Sequence, residues 1–97
     1  MTRPQKLKDA EIHERLARLP GWTLQDGKLR REFACRDFSE AFGKMTRVAL
    51  AAESMNHHPE WSNCWNRVTI ELATHSAGGL TELDFSLAAR ISEIFGS

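Results

Sequence analysis

Apolar residues along this chain switch between a helical and an alternating period several times, and each switch marks an element. Between Asp9 and Leu19, Ile12, Leu16 and Leu19 recur at helical spacing, with Glu11, Glu14, Arg15 and Arg18 on the other side. That pattern predicts a short amphipathic helix. Pro20-Gly21 ends it, because proline lacks an amide donor and glycine tolerates a left-handed exit. Trp22–Leu24 and Lys28–Phe33 then alternate on either side of Gln25-Asp26-Gly27. Asp-Gly between two alternating runs predicts a hairpin, whose turn needs positive φ. Leu29, Arg31 and Phe33 share one face of the second strand, and that mixed face predicts a place near an edge or an interface.

The longest pattern follows. Asp37 is the expected N-cap, with Glu40 three residues on. From there Phe38, Ala41, Phe42, Met45, Val48, Ala49, Ala52 and Met55 fall at steps of three and four, a stripe expected to face the core. His57-His58-Pro59 is expected to stop this central helix, since the residue before proline is pushed out of the helical region. Trp61–Trp65 reads as a short strand, Asn66-Arg67 as a tight connection, and Val68–Thr74 as the clearest strand. Val68, Ile70 and Leu72 take one face; the period places His75 with Thr69, Glu71 and Ala73 on the other. Ser76–Gly79 is a flexible connection, and Thr81 caps a last helix with Leu83, Leu87, Ala88, Ile91, Ile94 and Phe95 as its apolar stripe. The order α-β-β-α-β-β-α predicts an α+β fold: a four-stranded, mainly antiparallel sheet with helices packed on one face. Ninety-seven residues suit a single domain over residues 1–97.

Composition narrows the function classes. Thirteen basic residues balance thirteen acidic ones, so there is no broad positive field for nucleic acid. Arg3, Lys6 and Lys8 make only a weak local footprint. No apolar run reaches the length of a membrane span, and residues 1–6 lack the apolar stretch of a secretory signal. Cys35 and Cys64 stand apart without a CxxC spacing, as expected of reduced thiols in a cytoplasmic protein.

Candidate chemistry gathers between Glu53 and Asp84, where three of the four histidines lie. His57 and His58 follow the C-terminal end of the central helix, whose dipole favours a protonated imidazole. Glu53 stands four residues before His57, where a carboxylate would fix a tautomer or favour the imidazolium. His75 adjoins a Gly-rich loop and reaches the other two only through the fold. Zinc is the competing reading, with Asp84 as a further ligand. No HxH, HxxxH or CxxC pair starts such a site, so no metal is expected. Nor is there a GxSxG nucleophile turn.

The run Glu53-x3-His57-His58-Pro59-Glu60-Trp61, then Asn63, Trp65-Asn66-Arg67-Val68, Leu72-x-Thr74-His75 and Gly79-Leu80-Thr81-x2-Asp84 closely resembles the pterin-4a-carbinolamine dehydratases. Gly21-Trp22 and Leu29-x-Arg31-x-Phe33 extend the resemblance, which runs from about Leu7 to Ile94. It implies a lyase that dehydrates 4a-hydroxytetrahydropterin to quinonoid dihydropterin without metal or organic cofactor. That reaction recycles the pterin of aromatic amino acid hydroxylases, and so implies a functional link to a phenylalanine hydroxylase. Carried over by position, His57, His58 and His75 are the catalytic histidines. In that reading His57 and His75 are acids on opposite sides of the ring, and His58 holds the substrate. Asp84 orients a histidine or binds the pterin edge, Glu53 supports His57, and Trp22 and Trp61 line the pocket. The resemblance also implies a homodimer or homotetramer. It admits one other class: animal members serve as dimerisation cofactors of a homeodomain transcription factor, and some relatives are assembly factors.

Overall fold

The computed structural model describes residues 4–96, and Arg3 lies outside them. Its elements are α1 (Asp9–Ala17), β1 (Thr23–Gln25), β2 (Lys28–Ala34), α2 (Phe38–Met55), β3 (Glu60–Cys64), β4 (Arg67–Leu72) and α3 (Glu82–Phe95), with a 3-10 turn at His75–Ala77. The four strands form one antiparallel sheet in the order β1-β2-β4-β3. The α-β-β-α-β-β-α order and the α+β class are as the sequence predicts.

Turn chemistry sets both hairpins. Asp26 and Gly27 hold φ of 51° and 77°, so the first turn has two residues and Gln25 stays in β1. The second turn is Trp65-Asn66, one residue earlier than expected, because Arg67 already pairs with Cys64 and Ala34. Asn66 anchors it: its carbonyl accepts from the Cys35 amide at 2.7 Å and its Nδ2 donates to the Cys35 carbonyl at 2.8 Å.

One face of the sheet buries Leu29, Phe33, Val68, Ile70 and Leu72. Beneath it α2 packs on β4, α3 packs on β2, and the two helices pack on each other. Leu87, Ala88, Ile91 and Ile94 of α3 close the core. The opposite face is polar, with Arg30 and Glu71 at 3.8 Å and Lys28 and Glu60 at 3.1 Å. Leu7 joins the core through an amide bond to the Leu80 carbonyl at 2.8 Å, which ties the N-terminal segment to the entry of α3.

Three expectations change here. β2 is an interior strand, not an edge. Its mixed face works because Arg31 folds back over Phe33, 4.4 Å from the ring centre, and donates to the Pro20 carbonyl and Ser92 Oγ. Burial lowers its pKa from the ordinary arginine value. The α2 stripe also divides. Ala41, Val48 and Ala52 are buried, but Phe38 and Phe42 are 48% and 54% exposed, so the aromatic start of the helix does not enter the core. Finally, α2 stops before the His-His-Pro run. Asn56 takes the left-handed conformation, φ 51°, and its amide bonds the Ala52 and Glu53 carbonyls.

Candidate active site

Three histidines each meet a carboxylate, and the ends of two elements, α2 and β4, supply the histidines. The left-handed Asn56 turns the chain so that consecutive residues diverge. His57 is directed inward, where its Nε2 lies 2.6 Å from Asp84 Oδ1. His58 is directed outward, where its Nε2 lies 2.8 Å from Glu53 Oε1. Glu53 therefore partners His58, not His57 as expected. With α2 ended at Met55, the i,i+4 geometry that would have joined Glu53 to His57 no longer applies.

Asp84 is fully buried and His57 nearly so. The other carboxylate oxygen of Asp84 takes two bonds, from Thr74 Oγ1 at 2.8 Å and from the Thr81 amide at 2.9 Å. The Thr81 contact is half of a capping box: Thr81 caps α3 and Asp84, three residues on, reaches back to it. Thr74 and Thr81 also meet each other, Oγ1 to Oγ1 at 2.8 Å. Asp84 thus caps a helix and holds a histidine with opposite oxygens.

His75 does not sit on a strand. β4 ends at Leu72, and Thr74 makes only an isolated bridge to Gly79 across the 3-10 turn. That bridge turns His75 toward the polar side of the sheet, where its Nε2 lies 3.1 Å from Glu60 Oε1. Glu60, at the start of the edge strand β3, also accepts from Lys28 Nζ at 3.1 and 3.2 Å. Lys28, and then His75, hold the Glu60 carboxyl below the ordinary glutamate range, while Glu60 pushes Lys28 up.

These contacts close a ring. The chain runs from His57 through His58 and Pro59 to Glu60; Glu60 bonds His75; His75 follows Thr74; and Thr74 bonds Asp84, which bonds His57. All three histidines lie on it. A cavity of about 480 Å³ adjoins it, lined by Thr74 and His75 together with Leu24, Lys28, Gly79 and Leu80. Neither His57 nor His58 lines that cavity.

The two tryptophans part company. Trp22 is a core residue: it meets Phe33 edge-on at 6.3 Å and donates from Nε1 to Ser92 Oγ at 2.9 Å, two turns along α3 from Asp84. The structure does not bring it to the histidines. Trp61 is half-buried on the core face opposite Ile70, beside Glu60 in the chain. Among the described residues no three His, Cys, Asp or Glu side chains converge as a metal-binding group. Cys35 packs against the core, where burial pushes its thiol pKa up.

Sequence reasoning gave Thr74, Thr81 and Glu60 no part in this network. The Thr81-x2-Asp84 spacing of a capping box was a usable signal. The Glu60–His75 contact depends on where β4 stops, and no local pattern carries it.

Residues 5–94 match the family model described as pterin 4 alpha carbinolamine dehydratase. A Solibacter usitatus protein named "Putative pterin-4-alpha-carbinolamine dehydratase" is 53% identical over 89 residues, 92% of this chain and 94% of its own. A crystal structure of a transcriptional coactivator/pterin dehydratase from Brucella melitensis superposes with a TM-score of 0.92 at 46% identity, covering 95% of this chain and all of that one. A pterin dehydratase-like protein identified as a RuBisCO assembly factor in the alpha-carboxysome shares the fold, with a TM-score of 0.69 at 24% identity over 79% of this chain and 92% of its own. A family match over residues 5–94, nearly the whole chain, leads to one conclusion: the chain belongs to the pterin 4 alpha carbinolamine dehydratase family.

Proposed function

We propose that this chain is a lyase that dehydrates 4a-hydroxytetrahydropterin to quinonoid dihydropterin, with its histidines moving the protons. The observation that carries the reading is the closed ring, which joins three imidazoles, each on a carboxylate, within a family named for this activity. In the reaction the C4a–O bond breaks and the hydroxyl leaves as water after gaining a proton. The N5–H bond gives its proton to a base, and its electron pair forms the N5=C4a double bond. One acid and one base are enough, and imidazole serves as either near neutral pH.

His57 and His75 are the proton-transfer groups in this reading, and His58 holds the substrate. The cavity beside His75 is of a size that small-molecule sites have. The link to a phenylalanine hydroxylase follows from where such a carbinolamine arises. To test the activity, the 4a-carbinolamine is generated with a phenylalanine hydroxylase and its decay followed optically with and without this protein and a chelator. Acceleration that survives the chelator is expected; no acceleration removes the enzyme reading.

A homo-oligomer belongs to the same proposal. Phe38 and Phe42, 5.6 Å apart on the exposed side of α2, give a second copy an apolar contact, and β3 offers it an edge strand. Sedimentation as a monomer at micromolar concentration would remove this part. The coactivator and assembly-factor roles of two structurally similar proteins make an interaction module the other reading. That role has no need of three histidines on carboxylates, which is why the lyase is preferred.

A further inference from the structure

We infer that Thr74 is a positioning residue that, through Asp84, fixes the tautomer of His57, with the proton on Nε2 and the lone pair on Nδ1. The argument is an accounting of protons in a buried chain. Thr74, Thr81 and Asp84 are all nearly or fully inaccessible to water, so every hydroxyl proton needs an acceptor within the group. Thr81 Oγ1 already accepts from the Leu83 amide at 3.2 Å, in its capping role. Its own proton therefore goes to its hydroxyl neighbour, Thr74 Oγ1, 2.8 Å away. The Thr74 proton then goes to Asp84 Oδ2, which the Thr81 amide also reaches.

The reverse order fails. If Thr74 donated to Thr81, both contacts of Thr81 Oγ1, the Leu83 amide and the Thr74 hydroxyl, would be donors, and the Thr81 proton would have neither as acceptor. The relay thus runs from the α3 cap to Asp84 and ends there on an accept-only oxygen. Asp84 Oδ1 faces His57 Nε2 at 2.6 Å, and with Oδ2 taken by two donors the carboxylate meets the ring as an acceptor. The proton sits on Nε2, and Nδ1 keeps the lone pair.

Thr74 is also the joint between two catalytic candidates. Its amide and carbonyl bond Gly79 across the turn that presents His75, while its hydroxyl fixes the support of His57. One residue therefore sets the position of one histidine through the backbone and the tautomer of another through its side chain. The kinetic expectation below rests on the dehydratase reading; the tautomer does not.

The test uses the full chain with ring-labelled histidine and two-bond nitrogen–proton NMR, the His57 signals being identified by their loss in His57→Gln. Neutral wild-type His57 is expected to carry its proton on Nε2. Thr74→Val removes the hydroxyl while keeping the shape; it should give a tautomer mixture and lower kcat about tenfold with KM within about twofold, and Thr74→Ser should restore both. A wild-type Nδ1–H tautomer overturns the proposal, as does a Thr74→Val protein whose tautomer or kcat is unchanged. The wild-type spectrum decides the tautomer even where valine unfolds the chain, and Thr74→Ala then serves for the kinetics. A fixed Nε2–H tautomer in a wild-type protein without dehydratase activity leaves this assignment standing and defeats the enzyme reading instead.

Discussion

His57 and His75 belong to one ring but to opposite regimes. The His57 side chain is 9% exposed and meets a carboxylate with no exposure at all. The His75 side chain is 79% exposed and meets one that is itself half in water. Inside, every buried side-chain polar atom among the described residues has a partner, and the geometry is set before any substrate arrives. Outside, water competes for each contact and salt screens it. Stability and catalysis therefore come apart along the ring. A change at the buried end disturbs folding first, and a change at the exposed end disturbs chemistry first.

The largest effect should come from Asp84→Ala, which leaves His57, Thr74 and the Thr81 amide without their acceptor. Breaking a buried pair in this way costs about 3–5 kcal/mol. At roughly 4–8 °C per kcal/mol for a domain of this size, thermal unfolding should begin more than about 12 °C lower. A shift under about 4 °C would mean that the buried end is no more constrained than the exposed one, and the comparison would fail.

His75→Ala should invert that result. Its side chain is exposed and ends in a single carboxylate contact, so stability should change by less than about 0.5 kcal/mol. The dehydration rate should nonetheless fall by about 10²- to 10³-fold. Assaying His57→Ala and His75→Ala on each 4a-epimer sharpens the contrast. If the two stand on opposite sides of the ring, each variant loses one epimer more than the other; equal losses on both epimers in both variants would end the two-sided arrangement.

Glu60→Gln separates the regimes by pH. The wild-type carboxyl is held below its ordinary value, first by Lys28 and then by His75. A carboxyl depressed in the folded state stabilises the fold above its unfolded value and loses that contribution as pH falls through the folded one. Melting curves of wild type and Glu60→Gln should therefore differ at neutral pH and converge in acid, below the ordinary glutamate range. The gap should be far smaller than that of Asp84→Ala, because the group stands half in water. Curves that stay parallel down through the acid range would show that Glu60 contributes nothing through its charge.

What the sequence could reveal follows the same divide between local and distant causes. The hairpin at Asp26-Gly27, the Asp37 and Thr81 caps and the alternation of Val68, Ile70 and Leu72 are each written within a few residues, and each was legible. The partners of the histidines were not, because they depend on where elements stop. Asn56 ends α2 one residue before the His-His pair, which sends Glu53 to His58. Leu72 ends β4 early, which hands His75 to Glu60. The place of Trp22 was hidden for a related reason: a tryptophan after a helix-ending Pro-Gly suits a pocket or a core equally, and only its packing on Phe33 and its bond to Ser92 of α3 put it in the core. The exposure of Phe38 and Phe42 was hidden in the same way, since a stripe of helical period says that a face is apolar but not what covers it.

The smallest effect falls on the pair that local reasoning assigned to the wrong histidine. Glu53 and His58 are 78% and 57% exposed, so their contact is worth no more than about 0.2–1 kcal/mol and is screened by salt. Glu53→Gln keeps an oxygen that can accept from His58 and removes only the charge. Its melting temperature should fall by no more than about 8 °C, the shift that a full 1 kcal/mol would bring in so small a domain. The informative readout is KM. If His58 holds the substrate and Glu53 steadies His58, the variant should raise KM by about two- to fivefold at low salt and leave kcat unchanged, the signature of lost binding that is equal in ground and transition states. Added salt should shrink that difference, since it weakens the same exposed attraction in the wild type. If Glu53 instead served His57 in solution, as its spacing first suggested, the loss would appear in kcat and would persist at high salt. The two assignments of Glu53 thus predict opposite kinetic constants and opposite salt dependence.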